Sequence, residues 1–118
     1  VADRLTQAAS EPALIGSSGF SALGAVVGAT QTHTIESMRR RLPRSIFLLP
    51  GYGTQGATAE MTRAAFNEEG KGAIVSASRS ILYAHREAKY QDRFQGDWKK
   101  CVEQAVIDMK IDLARVLE

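Results

Sequence analysis

Three short apolar runs divide the chain, and each is followed by residues that favour turns. The runs cover residues 23–29, 46–49 and 73–77. The second and third contain β-branched or aromatic side chains and are bounded by glycine or proline, which is typical of strands. The first holds two valines and two glycines, a composition that favours a strand buried on both faces. We therefore predict three β-strands that begin near residues 23, 46 and 73.

The segments between these strands carry apolar residues at helical spacing. The residues that mark the two helices are Ile35, Met38 and Leu42 before Pro43, and Met61, Ala65 and Phe66 within residues 58–66. Strands that are joined by helical crossovers lie parallel. With a helix over residues 1–9 and one after the last strand, the order predicts consecutive βα units.

The carboxyl-terminal third is predicted to be helical with one interruption. We expect Arg79 in a turn of small residues, a helix over residues 81–89, a break at residues 90–96, and Asp97 as the cap of a last helix. An apolar stripe marks that helix, which we expect Trp98 to anchor together with Phe94. The stripe comprises Trp98, Cys101, Val102, Ala105, Val106, Met109, Leu113 and Val116.

Small and polar residues follow the second and third strands, whose carboxyl ends meet at one edge of a parallel sheet. They are Gly51, Gly53, Gln55 and Gly56 after the second strand, and Ser76, Ser78 and Arg79 after the third. Glycines expose backbone N–H groups, a helix start is positively polarised, and arginine offers a planar fork of donors. Together these groups predict an anion site, and phosphate is the anion they suit.

Three parallel strands are few for a sheet that must be covered on both faces. The chain is either a small open sheet or part of a barrel. The loops after the last two strands of a (β/α)8 TIM barrel commonly bind phosphate. We therefore assign residues 1–118 as a single partial domain, strands six to eight with a carboxyl-terminal helix. Alone it would expose an unpaired strand edge and apolar faces.

Composition narrows the possible partners and the compartment. A net charge of +2 over 118 residues gives no support for binding nucleic acid or an anionic membrane. Neither a membrane span nor a signal peptide is visible, and the lone Cys101 allows no internal disulfide. We expect a soluble, cytoplasmic protein. Because the first residue is Val1, the sequence could be a piece of a longer or processed chain.

Three ordered segments within residues 19–86 resemble the longer bacterial branch of orotidine 5′-phosphate decarboxylase. They are residues 23–30 (LGAVVGAT), the 50–56 loop (PGYGTQG) with Phe66-Asn67-Glu68 after it, and Ala77-Ser78-Arg79. The resemblance implies a βα barrel that converts orotidine monophosphate to uridine monophosphate without metal or organic cofactor, usually as a homodimer. Thr54, Ala57 and Ser80 depart from the family pattern, although none of these changes removes a donor.

The resemblance also implies roles for individual residues. Gln55 should reach the substrate phosphate, Arg79 should bind it through the guanidinium, and the N–H groups around Ser78 should complete the site. The Pro50, Gly51, Tyr52 and Gly53 segment should form the wall beside the ribose phosphate. The family's alternating Lys and Asp residues, with an Asp-x-Lys-x-x-Asp run, are not found here. We therefore expect no catalytic residue in this chain. The missing amino-terminal strands of the barrel should be supplied by the same chain or by a separate one.

Each of these assignments has a simpler alternative. Arg79 could pair with a surface carboxylate, Gln55 could only stabilise its own loop, and the glycines could serve tight turns. The run 39–41 of arginines is expected to be a hydrated helix face, and residues 108–112 (DMKID) likewise. We expect Cys101 to be a buried thiol, and the separate His33 and His85 to bind no metal. At the level of function, a non-catalytic phosphate-binding half-barrel, or another sugar-phosphate barrel enzyme, remains open.

Overall fold

The computed structural model describes residues 1–118. Its centre is a three-stranded sheet in the order β1-β2-β3, with both strand pairs parallel. The strands are β1 (Ser21–Val26), β2 (Ser45–Pro50) and β3 (Ala73–Ser76). The helices are α1 (Ala2–Ala9), α2 (Thr32–Arg41), α3 (Ala59–Thr62), α4 (Ser78–Leu82), α5 (Ala88–Phe94) and α6 (Trp98–Leu117). The predicted parallel βα architecture is confirmed. None of the helices combines the length and apolar character needed to cross a membrane.

One face of the sheet forms the main core. Phe47 and Leu49 of β2 are fully buried, and they pack with Ile35 of α2 and with Leu42 beyond its end. Alternate residues of a strand point to opposite faces, so the side chains of Ile46 and Leu48 face the other way. The helices that connect the strands therefore cover only this face.

The opposite face of the sheet is open. Val26 is 71% exposed and Ile74 is 60% exposed, with Ile46 and Leu48 also exposed beside them. These residues line a shallow groove of about 390 Å³. The prediction that the first strand is buried on both faces is therefore wrong, because the helices cover only one face of the sheet and Val26 lies on the other. The prediction that the chain exposes an apolar sheet face is confirmed.

We expect the isolated chain to self-associate or precipitate, since this row of apolar side chains lacks a cover. Sedimentation velocity measures the effect directly. Ile74→Lys should reduce the association, whereas Ile111→Lys, at a residue 63% exposed on α6, should leave it unchanged. A well-behaved monomer of the unaltered chain would contradict the interpretation as part of a barrel.

Arg39 is not part of a hydrated helix face. Its guanidinium donates to the carbonyls of Leu42 (3.0 Å), Ser45 (2.9 Å) and Gly72 (2.9 Å). It also lies 3.7 Å above the centre of the Phe47 ring. Burial lowers its pKa from the ordinary value. The correction has a simple cause: Arg39 ties α2 to the start of β2 and to the loop that precedes β3, while Arg40 and Arg41 are exposed as expected.

The carboxyl-terminal helices pack around a second, smaller core of Ala84, Tyr90, Cys101 and Ala105. Asp97 caps α6 as predicted, since its carboxylate accepts from the N–H groups of Lys99 and Lys100 at 3.1 and 3.3 Å. The predicted burial of Cys101 is confirmed.

The helix predicted over residues 81–89 is interrupted, because α4 ends at Leu82 and α5 begins only at Ala88. Two further predictions for this region are wrong. Residues 90–96 do not form a break, because Tyr90 is buried on α5 and the turn comes only at Gln95 and Gly96. Trp98 is 57% exposed and anchors nothing, whereas Phe94 does pack against the second core.

Candidate functional site

The glycine-rich loop after β2 is a closed turn with its own hydrogen bonds. Gly51, Gly53 and Gly56 have φ angles of 106°, 79° and 93°, which side chains other than glycine rarely adopt. Within it, the N–H of Gly53 donates to the Ala57 carbonyl (3.0 Å) and the N–H of Ala57 donates to the Gly51 carbonyl (3.1 Å). The N–H of Gly56 donates to the Gly53 carbonyl (2.8 Å). We call residues 51–57 the glycine loop.

The glycine loop and the start of α4 lie against each other at the carboxyl edge of the sheet. Pro50 pairs with Ser76 at the ends of β2 and β3, so both strands stop at the same level. The Ser80 Oγ atom lies 3.4 Å from the Tyr52 carbonyl oxygen and 3.3 Å from the Ala77 carbonyl oxygen, so its one proton is shared between these two acceptors. A Cβ atom on Gly53 would stand 2.7 Å from the Ser80 Oγ atom and 2.9 Å from its Cβ atom. The two segments that the sequence pattern placed at one edge are therefore in direct contact.

Arg79 is the second residue of α4 rather than part of a turn, which corrects the sequence prediction. Its side chain is exposed, and the guanidinium forms neither an ion pair nor a hydrogen bond. No carboxylate pairs with Arg79 in this structure, so the alternative that it forms a surface ion pair is not supported. The N–H groups of Ser78, Arg79 and Ser80 also donate to no backbone carbonyl, since the first such bond in α4 is made by Ile81.

Gln55 lies at the tip of the glycine loop and is exposed. Its side chain folds back, so that the Oε1 atom is 3.2 Å from the place where a Cβ atom on Gly51 would stand. The backbone N–H groups of Tyr52, Thr54 and Gln55 donate to no carbonyl of the backbone. The contact between the glycine loop and α4 thus brings the unpaired N–H groups of both segments to the carboxyl edge of the sheet.

Tyr52 points its side chain toward α6. Its hydroxyl donates to the carboxylate of Asp112 at 2.5 Å. Burial first, and then the hydrogen bond to Asp112, raise the pKa of Tyr52 well above its ordinary value. A cavity of about 620 Å³ separates the glycine loop from α6, and Tyr52, Gly53, Ser80 and Asp112 are among its lining residues.

The sequence pattern predicted that residues 108–112 form a hydrated helix face, and the structure corrects this prediction. Asp108 and Asp112 do share one face of α6, but both are half-buried and accept hydrogen bonds from tyrosines. Sequence reasoning missed these partners because Tyr52 and Asp112 are 60 residues apart. The i, i+4 spacing of the two aspartates was the available signal, since it indicates a common face.

Comparison with known proteins gives a consistent set of relatives, although no family model matches the chain. Orotidine 5′-phosphate decarboxylase of Rhodopirellula baltica is 38% identical over 96 residues, which is 80% of this chain and 32% of that protein. The proteins of the same name from Clostridium botulinum and Petrotoga mobilis are 40% and 38% identical, over 81% and 83% of this chain. The chain thus spans about a third of the length of these curated relatives.

A solved structure agrees with these relatives. A crystal structure from Toxoplasma gondii, described as an orotidine-monophosphate decarboxylase, superposes with a TM-score of 0.56 at 26% identity. The match covers 89% of this chain and 40% of that one, so the sheet described above corresponds to part of a larger βα barrel. By sequence and by fold, this chain is homologous to orotidine 5′-phosphate decarboxylase over about a third of that enzyme's length, as its motifs predicted.

Proposed function

We propose that this chain supplies the phosphate-binding side of an enzyme that decarboxylates orotidine 5′-monophosphate to uridine 5′-monophosphate. The observation that carries the proposal is the contact between Gly53 and Ser80, which brings the glycine loop beside the first turn of α4. The relatives support the choice of substrate, because several proteins that match about four fifths of this chain are named after this activity.

The chemistry of the edge suits a phosphate dianion. Arg79 offers a guanidinium with no competing carboxylate, and arginine can donate two parallel hydrogen bonds to phosphate oxygens. Unpaired N–H groups of the loop and of residues 78–80 add directed donors. In the proposal, Gln55 reaches over the same group and the Pro50–Gly53 backbone forms the wall beside the ribose phosphate. Binding energy from the phosphate then assists chemistry at the distant pyrimidine.

The decarboxylating residues come from elsewhere in this proposal. The two aspartates of α6 that approach the glycine loop are already engaged by Tyr52 and Tyr90. The open apolar face formed by β1, β2 and β3 is the surface that the remaining amino-terminal strands would cover, in the same or a separate chain. The complete enzyme is proposed to be a cytoplasmic homodimer that needs neither a metal nor an organic cofactor. The free thiol of Cys101 fits a reducing compartment.

A binding comparison on the complete protein tests the proposal. We expect uridine monophosphate to bind at least about 100-fold more tightly than uridine, because several charge-assisted hydrogen bonds depend on the phosphate. Isothermal titration calorimetry measures both affinities, and intact-mass measurement of the native protein establishes whether upstream strands accompany these residues. Equal affinities for the two ligands would contradict the proposal.

Two other candidates predict different results in the same experiment. Ribose 5-phosphate that binds as tightly as uridine monophosphate would favour another sugar-phosphate barrel enzyme. Tight binding by a native polypeptide that consists only of residues 1–118, without decarboxylation, would favour a non-catalytic phosphate-binding module.

A further inference from the structure

The last turns of α6 are attached to the chain on both sides of the glycine loop. Before the loop tip, Asp112 accepts the hydrogen bond from the Tyr52 hydroxyl. Beyond the loop, Arg115 donates to Glu60 of α3 at 2.6 Å. Arg115 also donates to Asp112 at 3.1 Å, so the two attachments are linked through one turn of α6. Residues 53–57 therefore lie between two points that are held by the same helical turn.

The two attachments differ in strength. Arg115 and Glu60 have side chains that are 64% and 61% exposed, and an ion pair in water is worth little. The Tyr52 hydroxyl and Asp112 are half-buried, and a hydrogen bond to a carboxylate is stronger when water is partly excluded. The Tyr52–Asp112 hydrogen bond is therefore the principal link.

Tyr52 also connects this link to the candidate phosphate site. Its backbone carbonyl is one of the two acceptors that share the Ser80 hydroxyl, and its neighbour Gly53 packs against the Ser80 side chain. The side chain of one residue is thus held by α6 while its backbone is held by α4. A change in the position of Tyr52 would alter the spacing between the glycine loop and the first turn of α4, which carries Arg79.

We propose that Tyr52 and Asp112 are positioning residues, and that their hydrogen bond holds the glycine loop against α4 in the geometry that receives the phosphate. The ligand part of this inference depends on the proposed function. The mechanical part depends only on the hydrogen bonds of α6 and of the loop.

The chain contains a matched control. Tyr90 donates its hydroxyl to Asp108 at 2.9 Å, one turn earlier on the same face of α6. Tyr90 lies on α5 and makes no contact with the glycine loop through this bond. Tyr52→Phe and Tyr90→Phe each remove one hydroxyl and one tyrosine–aspartate hydrogen bond, but only the first detaches the loop.

Amide hydrogen exchange in the complete protein, without ligand, measures the mechanical part. The amides of Gly53, Gly56 and Ala57 report on the loop, because each forms a hydrogen bond inside it. Tyr52→Phe should speed their exchange by about tenfold, which is the factor expected for losing one hydrogen bond to a charged group. Asp112→Asn keeps an oxygen acceptor for the Tyr52 hydroxyl but loses the charge, so it should speed exchange less than Tyr52→Phe does. Tyr90→Phe should leave these three amides unchanged.

Binding of uridine monophosphate and of uridine to the same variants measures the ligand part. Tyr52→Phe should weaken binding of the monophosphate by about tenfold and leave uridine unaffected. Tyr90→Phe should change neither affinity, even if it lowers the melting temperature equally. Unchanged loop exchange in Tyr52→Phe, or equal effects of the two variants, would overturn the inference. If the unaltered protein fails to distinguish the two ligands, the proposed function fails, and the exchange result still decides whether α6 holds the loop.

Discussion

Replacing Arg79 with alanine in the complete protein is expected to lower kcat/KM for orotidine monophosphate by about 1,000-fold. The guanidinium is exposed at the carboxyl edge of the sheet and is not neutralised by a carboxylate, so the whole of its charge is available to a phosphate. Loss of one such preorganised donor commonly costs two to three orders of magnitude. Steady-state decarboxylation assays over a range of substrate concentrations measure the loss.

Two further variants separate charge, geometry and general effects. Arg79→Lys keeps the positive charge but loses the planar fork, and it should recover only part of the activity. Arg40→Ala is the matched control, since Arg40 is an exposed arginine without an ion pair at the far end of α2. It should leave kcat/KM unchanged. A loss below tenfold for Arg79→Ala would show that this residue is not the phosphate ligand.

Gly53→Ala is expected to lower kcat/KM by about 100-fold. The added methyl group would stand 2.9 Å from the Ser80 Cβ atom, so rotation of the serine hydroxyl cannot relieve the collision. The glycine loop and α4 must therefore move apart, and a displacement of about 1 Å in a positioned site can cost a factor of this size. The assay is again steady-state decarboxylation, with the melting temperature measured alongside.

Gly19→Ala provides the control for backbone strain. Gly19 has a φ angle of 80°, almost equal to the 79° of Gly53, but a Cβ atom there would meet nothing within 4 Å. Gly19→Ala should therefore lower stability without lowering kcat/KM. The double variant Gly53→Ala with Ser80→Gly removes the colliding side chain and should recover most of the activity. If the double variant remains as impaired as the single one, the contact does not set the spacing of the site.

The strands, the parallel order and the position of the glycine loop could be predicted from sequence because local signals mark them. The run that became β2 combines β-branched and aromatic residues and ends at Pro50, and Asp97 is followed directly by the pattern of α6. The meeting of the glycine loop with the Arg79 segment followed from the geometry of parallel strands. The structure adds the contact through Ser80, one of the residues that departs from the family pattern.

The remaining features depend on contacts between distant parts of the chain. The carbonyls that bind Arg39 lie up to 33 residues away, so its sequence neighbours suggested only a hydrated helix face. The pairing of Tyr52 with Asp112 spans 60 residues and is equally invisible to local patterns. Val26 is exposed because the helices cover only the other face of the sheet. The sequence could not show this, because an apolar run is equally consistent with one covered face or two.

A crystal structure of the complete protein with bound uridine monophosphate would show whether the glycine loop and α4 bind one phosphoryl group together. We expect one phosphoryl group within about 3 Å of the Arg79 guanidinium and of N–H groups from both the glycine loop and the first turn of α4. A phosphoryl group bound elsewhere, or held by only one of these two segments with Arg79 directed away from it, would contradict the account.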